Sequence, residues 1–307
     1  MSILPGKTDR TLSIFVAYFL IYIVWGSTYY FIGVAMKGFP PFLLGAIRFS
    51  FAGLFLLSWC RLKGENIFKK GLIKKSAISG IVLLFIDMAA IMFAQKYVSS
   101  SLVAIIASST AIWIMALDVP MWKKNFRNPF VVAGIVIGFL GVLMLYIEQF
   151  SSEKTSDDGK LGIFILVLGC ISWALGTLYA KYYSSGEEEV NAFAGSAWQM
   201  LFASAMFWLC AFVNHDVIGM EFNHVPSSAW LSLIYLTLFG SIFAHSAYVW
   251  LLKVRPAIEV GTHAYVNPLV AIFLGTTLGK ENVTIIQIIG LFIIITSVIL
   301  TNKRNRK

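Results

Sequence analysis

Ser100–Lys123 reads SSLVAIIASSTAIWIMALDVPMWK, and Ala257–Lys280 reads AIEVGTHAYVNPLVAIFLGTTLGK. Laid on one another at a constant offset of 157 residues, they pair Ala107 with Ala264, Leu117 with Leu274 and Lys123 with Lys280. Continued upstream, the same offset pairs Lys96 with Lys253. Each stretch is apolar for about 20 residues, the length a helix needs to cross a hydrocarbon layer of roughly 30 Å. One pattern written twice at that length predicts a membrane protein with an internal repeat.

The rest of the chain agrees. Of its 307 residues 58% are hydrophobic and only 13% charged, and the mean hydropathy is +0.80. A soluble domain of this size needs far more polar surface to cover its core. Ten spans are predicted, at 12–34, 41–60, 77–95, 100–122, 129–148, 161–183, 191–213, 229–251, 257–279 and 283–301. The first is too long for the roughly 7–15-residue core of a cleavable signal. Cys60, Cys170 and Cys210 all fall in or at the edge of spans, where packing is the expected role.

The net charge of +9 reports orientation rather than nucleic-acid binding. With the N-terminus placed inside, 18 of the 24 lysines and arginines fall on inner segments and five on outer ones, with Arg48 inside a span. That bias predicts both termini in the cytoplasm and an even number of crossings.

The repeat covers both halves. The first span carries Trp25-Gly26-Ser27-Thr28-Tyr29 and the sixth Trp173-Ala174-Leu175-Gly176-Thr177. With one residue shifted, Gly134 of the fifth span meets Gly290 of the tenth. The domains read as a five-helix repeat over 1–148, a polar linker at 149–160 and a second five-helix repeat over 161–307. Five is odd, so the second half enters the bilayer from the opposite side. The expected fold is all-α, with ten transmembrane helices in two inverted-topology repeats. Such a pair can expose a central site to either face in turn.

Ile23-Val24-Trp25-Gly26-Ser27-Thr28-Tyr29, Pro40-Pro41 and Ile47-Arg48-Phe49 resemble the first half of EamA-type carriers of the drug/metabolite transporter superfamily. Ile171-Ser172-Trp173-Ala174, Leu238-Phe239-Gly240-Ser241, Ala264-Tyr265-Val266-Asn267-Pro268 and Leu278-Gly279-Lys280-Glu281 resemble the second. The similarity spans nearly the whole chain and is strongest to YedA-like bacterial inner-membrane members. The resemblance implies a cavity lined by spans one to four and six to nine, with the fifth and tenth at the periphery. It also implies transport, with export favoured over uptake, and names no substrate. One departure stands out: Ala111 occupies the place of a proline matching Pro268, so a bend is expected in the ninth span only.

Ionisable residues within a bilayer are costly and mark candidate sites. Arg48 and Asp87 sit at depths agreeing to within about a helical turn; they either pair directly or face one cavity, and a purely structural ion pair is the rival reading. Glu259, His263 and Asn267 fall at i, i+4 and i+8 on one face of the ninth span, just before the helix-bending Pro268. In the bland alternative Glu259 reaches the headgroups and His263 satisfies a neighbouring helix. His245 shares a face with Ser241 and Tyr248, and a histidine or carboxylate there suits a proton-coupled cycle. Trp25 and Trp173 lie deep; with Trp113, Trp198 and Tyr265 they form a candidate aromatic lining, to which Thr28 and Gln199 add polar groups. Plain helix packing is the alternative for these, as it is the expectation for Gly134, Gly138 and Gly141.

Gly275–Glu281 imitates a phosphate loop, but the spacing is one short, Glu281 replaces the hydroxyl residue and no strand precedes it. No cofactor and no metal site is expected. The expected partners are a small-molecule solute and the lipid bilayer, with no nucleic acid; nothing sets an oligomeric state. An intramembrane aspartyl protease needs two carboxylates close enough to share a proton, and Asp87 and Asp118 lie at different depths. An uncoupled channel is the third alternative to a secondary carrier.

Overall fold

A computed structural model of the protein describes residues 7–151, 156–183, 192–218 and 220–302. Residues 152–155 of the expected linker and the Tyr265 side chain lie outside the described residues. Every regular element among the described residues is helical. Among the described residues seven helices are long and apolar enough to cross a membrane: α1 (Thr11–Ala35), α2 (Pro41–Leu62), α3 (Lys70–Ala94), α4 (Ser100–Leu117), α6 (Asp157–Tyr182), α7 (Ala192–Val213) and α8 (Ser227–Val254). In chain order α5 (Pro129–Ser151) precedes α6, and α9 (His263–Thr277) and α10 (Ile285–Asn302) follow α8; these three carry shorter apolar windows.

The starts follow local chemistry. Pro41 and Pro129 open α2 and α5, a position where the missing N–H costs nothing. Ser99 caps α4 by accepting from Leu102 N at 3.3 Å. Glu281, from the segment after α9, completes that cap. Its two carboxylate oxygens accept from the backbone N and hydroxyl of both Ser100 (3.1 and 2.6 Å) and Ser101 (3.0 and 2.5 Å). Lys280 takes a left-handed backbone (φ 53°) to turn the chain there, and Glu281 N donates back to Gly275 O at 2.9 Å.

Packing follows the repeat. α2 lies against α7 and α5 against α10; α1 packs on α8 and α9, as α6 packs on α3 and α4. Exchanging every helix for the one five places along leaves this pattern unchanged. α5 and α10 close on their own cluster with Val131, Leu291 and Ile294, aided by Gly138 against Ile112 and Ser297. Large apolar side chains such as Phe55, Phe273 and Phe292 point outward, as suits a lipid-facing surface.

Among the described residues three helices contain a π-helical stretch: Leu20–Val24 in α1, Gly80–Phe85 in α3 and Leu236–His245 in α8. At the 157-residue offset the α3 stretch falls within the α8 stretch, so the widened turn belongs to the repeat. Such turns leave carbonyls available to other partners and often accompany functional sites.

Two expectations need correction. A bend was expected only beside Pro268, yet α4 also breaks, at Ser108–Ser109, where the bonding tightens to i→i−3. Ser108 Oγ donates back to Ile105 O at 2.5 Å, and such back-bonding bends a helix without proline. The single stripe of Glu259, His263 and Asn267 is also divided. A short turn, Ala257–Val260, ends at Gly261–Thr262, and α9 begins afresh at His263.

Candidate functional site

The broken and widened helices surround one central cavity, with about 60 Å³ open to the centres of water molecules. That is room for several water molecules. α1, α2, α3, α4, α6, α8 and α9 supply its walls; α7, expected to take part, supplies none.

Arg48 from α2 and Asp87 from α3 both line this space, at 6% and 5% exposure. Of the two sequence alternatives the shared cavity is the one observed. Arg48 Nε donates to Ser241 Oγ at 2.8 Å and the guanidinium stands 4.9 Å from the centre of the Phe49 ring. Among the described residues its terminal nitrogens make no hydrogen bond, and Asp87 has neither a hydrogen bond nor an ion pair. A buried guanidinium and a buried carboxyl group, each with bonding capacity to spare, face the same small volume.

Next to them stands an aromatic group. Trp25 and Trp173, equivalent in the repeat, meet edge to face with ring centres 5.3 Å apart. Tyr248 lies 5.0 Å from Trp25 and 5.4 Å from Trp173, and His263 5.2 Å from Trp25. The polar edges of the two tryptophans and of Tyr248 are used internally. Trp25 Nε1 donates to Gly240 O at 2.9 Å, a carbonyl within the α8 π-helical stretch. Trp173 Nε1 donates to the Tyr248 hydroxyl at 3.2 Å, and that hydroxyl shares a 2.6 Å bond with Thr177 Oγ1. What remains for a solute is ring surface. Thr28 lines the cavity too, though its hydroxyl donates back to Trp25 O at 2.6 Å.

His263 and His245 flank Trp25. His263 Nδ1 lies 2.9 Å from Val260 O, which can only accept, so in a neutral ring Nε2 is the free acceptor. Asn267, with its amide turned so that both polar atoms are satisfied, donates to Tyr22 O (2.8 Å), Ile21 O (3.0 Å) and His263 O (3.1 Å). The first two carbonyls belong to the π-helical stretch of α1. Asn267 therefore lines the cavity while bracing α9 against α1.

The remaining candidates lie elsewhere. Glu259 accepts from the Tyr18 hydroxyl at 3.1 Å and lies 3.5 Å from Arg255, outside the cavity; Tyr22 and Thr262 close the chain beside it with a 2.7 Å bond. Trp198 turns away from the centre to donate to Ile67 O at 2.7 Å, in a cluster with Cys60 and Leu72. Trp113 is half-buried against the main core and does not line the cavity. Tyr248 is fully buried behind the two tryptophans. Gln199 stands one layer back, 2.8 Å from His245 Nε2. The sequence reading missed Gly240, Ser108 and Thr110 in the cavity wall, and Glu281 as the cap of α4. The Leu238-Phe239-Gly240-Ser241 segment and the serine pair were visible signals for the former; Glu281 carried none beyond its place after α9.

A model of the EamA-like transporter family matches residues 12–147 and 160–303. The chain is 32% identical over 294 residues to the "Uncharacterized inner membrane transporter YedA" of Escherichia coli K12, a match covering 95% of this chain and 91% of the relative. An "Uncharacterized transporter" of Archaeoglobus fulgidus is 25% identical over 302 residues, covering 94% and 96%. A solved crystal structure superimposes over 97% of both chains with a TM-score of 0.68 at 17% identity, a likeness of fold alone.

Proposed function

The chain belongs to the EamA-like transporter family, and from that premise we propose that it is a secondary carrier that moves a small amino-acid-like metabolite across the cytoplasmic membrane by alternating access. One observation carries the substrate class. Arg48 and Asp87 share a cavity, both buried and neither paired with the other. Isolated charges buried in a bilayer protein call for compensating partners. A zwitterion supplies both at once, its carboxylate to the Arg48 guanidinium and its ammonium to Asp87. The ring faces of Trp25 and Trp173 favour an apolar or aromatic side chain on that solute.

In this reading ten helices cross the membrane, with both termini inside. Residues 1–148 and 161–307 are the two inverted repeats, joined by the segment 149–160. The exchange symmetry of the helix packing and the inward bias of basic residues support it. Asp87, His245 and His263 are the cavity groups able to exchange protons, and they support a reading in which transport is coupled to a proton gradient. Export rests on the family resemblance.

The test is flux through proteoliposomes across a panel of amino acids, amines and carboxylates, with and without a pH gradient. Saturable flux of a zwitterion, lost in Arg48→Ala and Asp87→Ala, is the expected result. Flux no greater than in protein-free vesicles across the panel refutes transport; unsaturable flux favours a channel.

A further inference from the structure

We propose that Gln199 and Ser79 are positioning residues that hold His245 as the tautomer protonated on Nε2, so that its Nδ1 is the acceptor for the ammonium group of the transported solute. The proposal rests on the carrier reading above and assigns that site a further contact. It starts from a chain of three hydrogen bonds leading from the cavity wall towards the start of α3. His245 Nε2 lies 2.8 Å from Gln199 Oε1, Gln199 Nε2 donates to Ser79 Oγ at 2.9 Å, and Ser79 Oγ donates to Lys75 O at 2.9 Å.

The far end sets the direction of the whole chain. A backbone carbonyl has no proton to give, so the Ser79 hydroxyl must spend its single proton on Lys75 O. It can then only accept from Gln199, which turns the amide nitrogen towards Ser79 and the amide oxygen towards His245. That oxygen requires a proton on His245 Nε2. In a neutral imidazole the other nitrogen, Nδ1, is then a bare acceptor. His245 is 1% exposed, Gln199 3% and Ser79 0%, so water is poorly placed to scramble the order.

The structure leaves that acceptor empty. His245 lines the cavity, yet its Nδ1 is buried with no hydrogen-bond partner among the described residues. Buried polar atoms without partners are rare and costly to keep. His245 lines the same cavity as Arg48 and Asp87, so a solute spanning that pair passes beside it. The anchor itself is built tightly, because Gly80 lets α3 approach the Gln199 backbone; a Cβ there would lie 2.8 Å from Gln199 Cα.

Four histidines make the tautomer measurable. Protein labelled with 15N-histidine, in nanodiscs, is examined by NMR, with His245 assigned by its loss in His245→Asn. The unprotonated ring nitrogen resonates well downfield of the protonated one. The expected result is a protonated Nε2 and a bare Nδ1 at His245. Gln199→Leu should shift the ring to a mixture of tautomers, while Gln199→Glu, which keeps an acceptor in place, should restore the single form. A wild-type ring protonated on Nδ1, or a tautomer unmoved by Gln199→Leu in a variant of native helicity, overturns the proposal. The common L-amino acids are then added singly, each beside the matching carboxylate without its ammonium. An amino acid that shifts Nδ1 where its deaminated analogue does not supports the acceptor role; no shift with any of them overturns it. The tautomer measurement needs no solute, so it stands or falls apart from the carrier reading tested by flux.

Discussion

Replacing Glu281 with alanine removes four hydrogen bonds at once, and the structure indicates how much that should cost. The first N–H groups of a helix have no partner within it. In α4 two of these, Ser100 N and Ser101 N, donate to the Glu281 carboxylate, along with both serine hydroxyls. The serines are 6% and 0% exposed, so their freed donors have little water to turn to. A carboxylate at a helix N-terminus also meets the positive end of the helix dipole. A bond to a charged group is worth about 1.5–3 kcal/mol, and neighbouring bonds do not add in full. Glu281→Ala should therefore cost about 3 kcal/mol, a hundredfold or more in the folding equilibrium. Glu281→Gln keeps one acceptor oxygen and should lose about half as much. The assay is unfolding in mixed detergent micelles at neutral pH, followed by circular dichroism. An alanine variant within about 0.5 kcal/mol of wild type, the range of an unremarkable surface substitution, refutes the reasoning.

Gly275→Ala should mimic much of that loss, because its methyl would overlap Ser101 Oγ and come within 2.5 Å of Glu281 Oε2; the same unfolding assay checks it. Asn267→Ala should destabilise by about 1–3 kcal/mol, since the carbonyls of Ile21 and Tyr22 lose their donor; a variant as stable as wild type would remove the brace. Arg48→Lys should lower flux at least tenfold with the fold intact, because lysine cannot reproduce the guanidinium's fork. The charge exchange of Arg48→Asp with Asp87→Arg should not restore flux, since no direct bond joins the two side chains; rescue in the proteoliposome assay would contradict the cavity as described.

The membrane class, the doubled pattern and the two deep tryptophans were legible in the sequence because each depends on what a long chain segment must do. A hydrocarbon layer demands about 20 apolar residues per crossing whatever the neighbours are, and a repeat is visible as spacing alone. Depth along a helix is counted at a fixed rise, so Arg48 and Asp87 could be set at one level before any contact was known. Direction around the helix axis was less secure. The stripe of Glu259, His263 and Asn267 assumed an unbroken helix, and the break at Gly261–Thr262 sent Glu259 to Tyr18 and Arg255. The π-helical stretches in α1, α3 and α8 likewise alter how later side chains are aimed.

Trp198 was read as cavity lining because a deep tryptophan looks the same in any wall; only the docking of α7 turns it to Ile67 O while Gln199, its neighbour, reaches His245. The bend at Ser108–Ser109 and the cap from Glu281 depend on bonds made within one turn or across 180 residues. Burial is set by segment composition, so one chain suffices to read it. Hydrogen bonding is decided by which donor lies within 3 Å of which acceptor, and that is known only once the helices have packed.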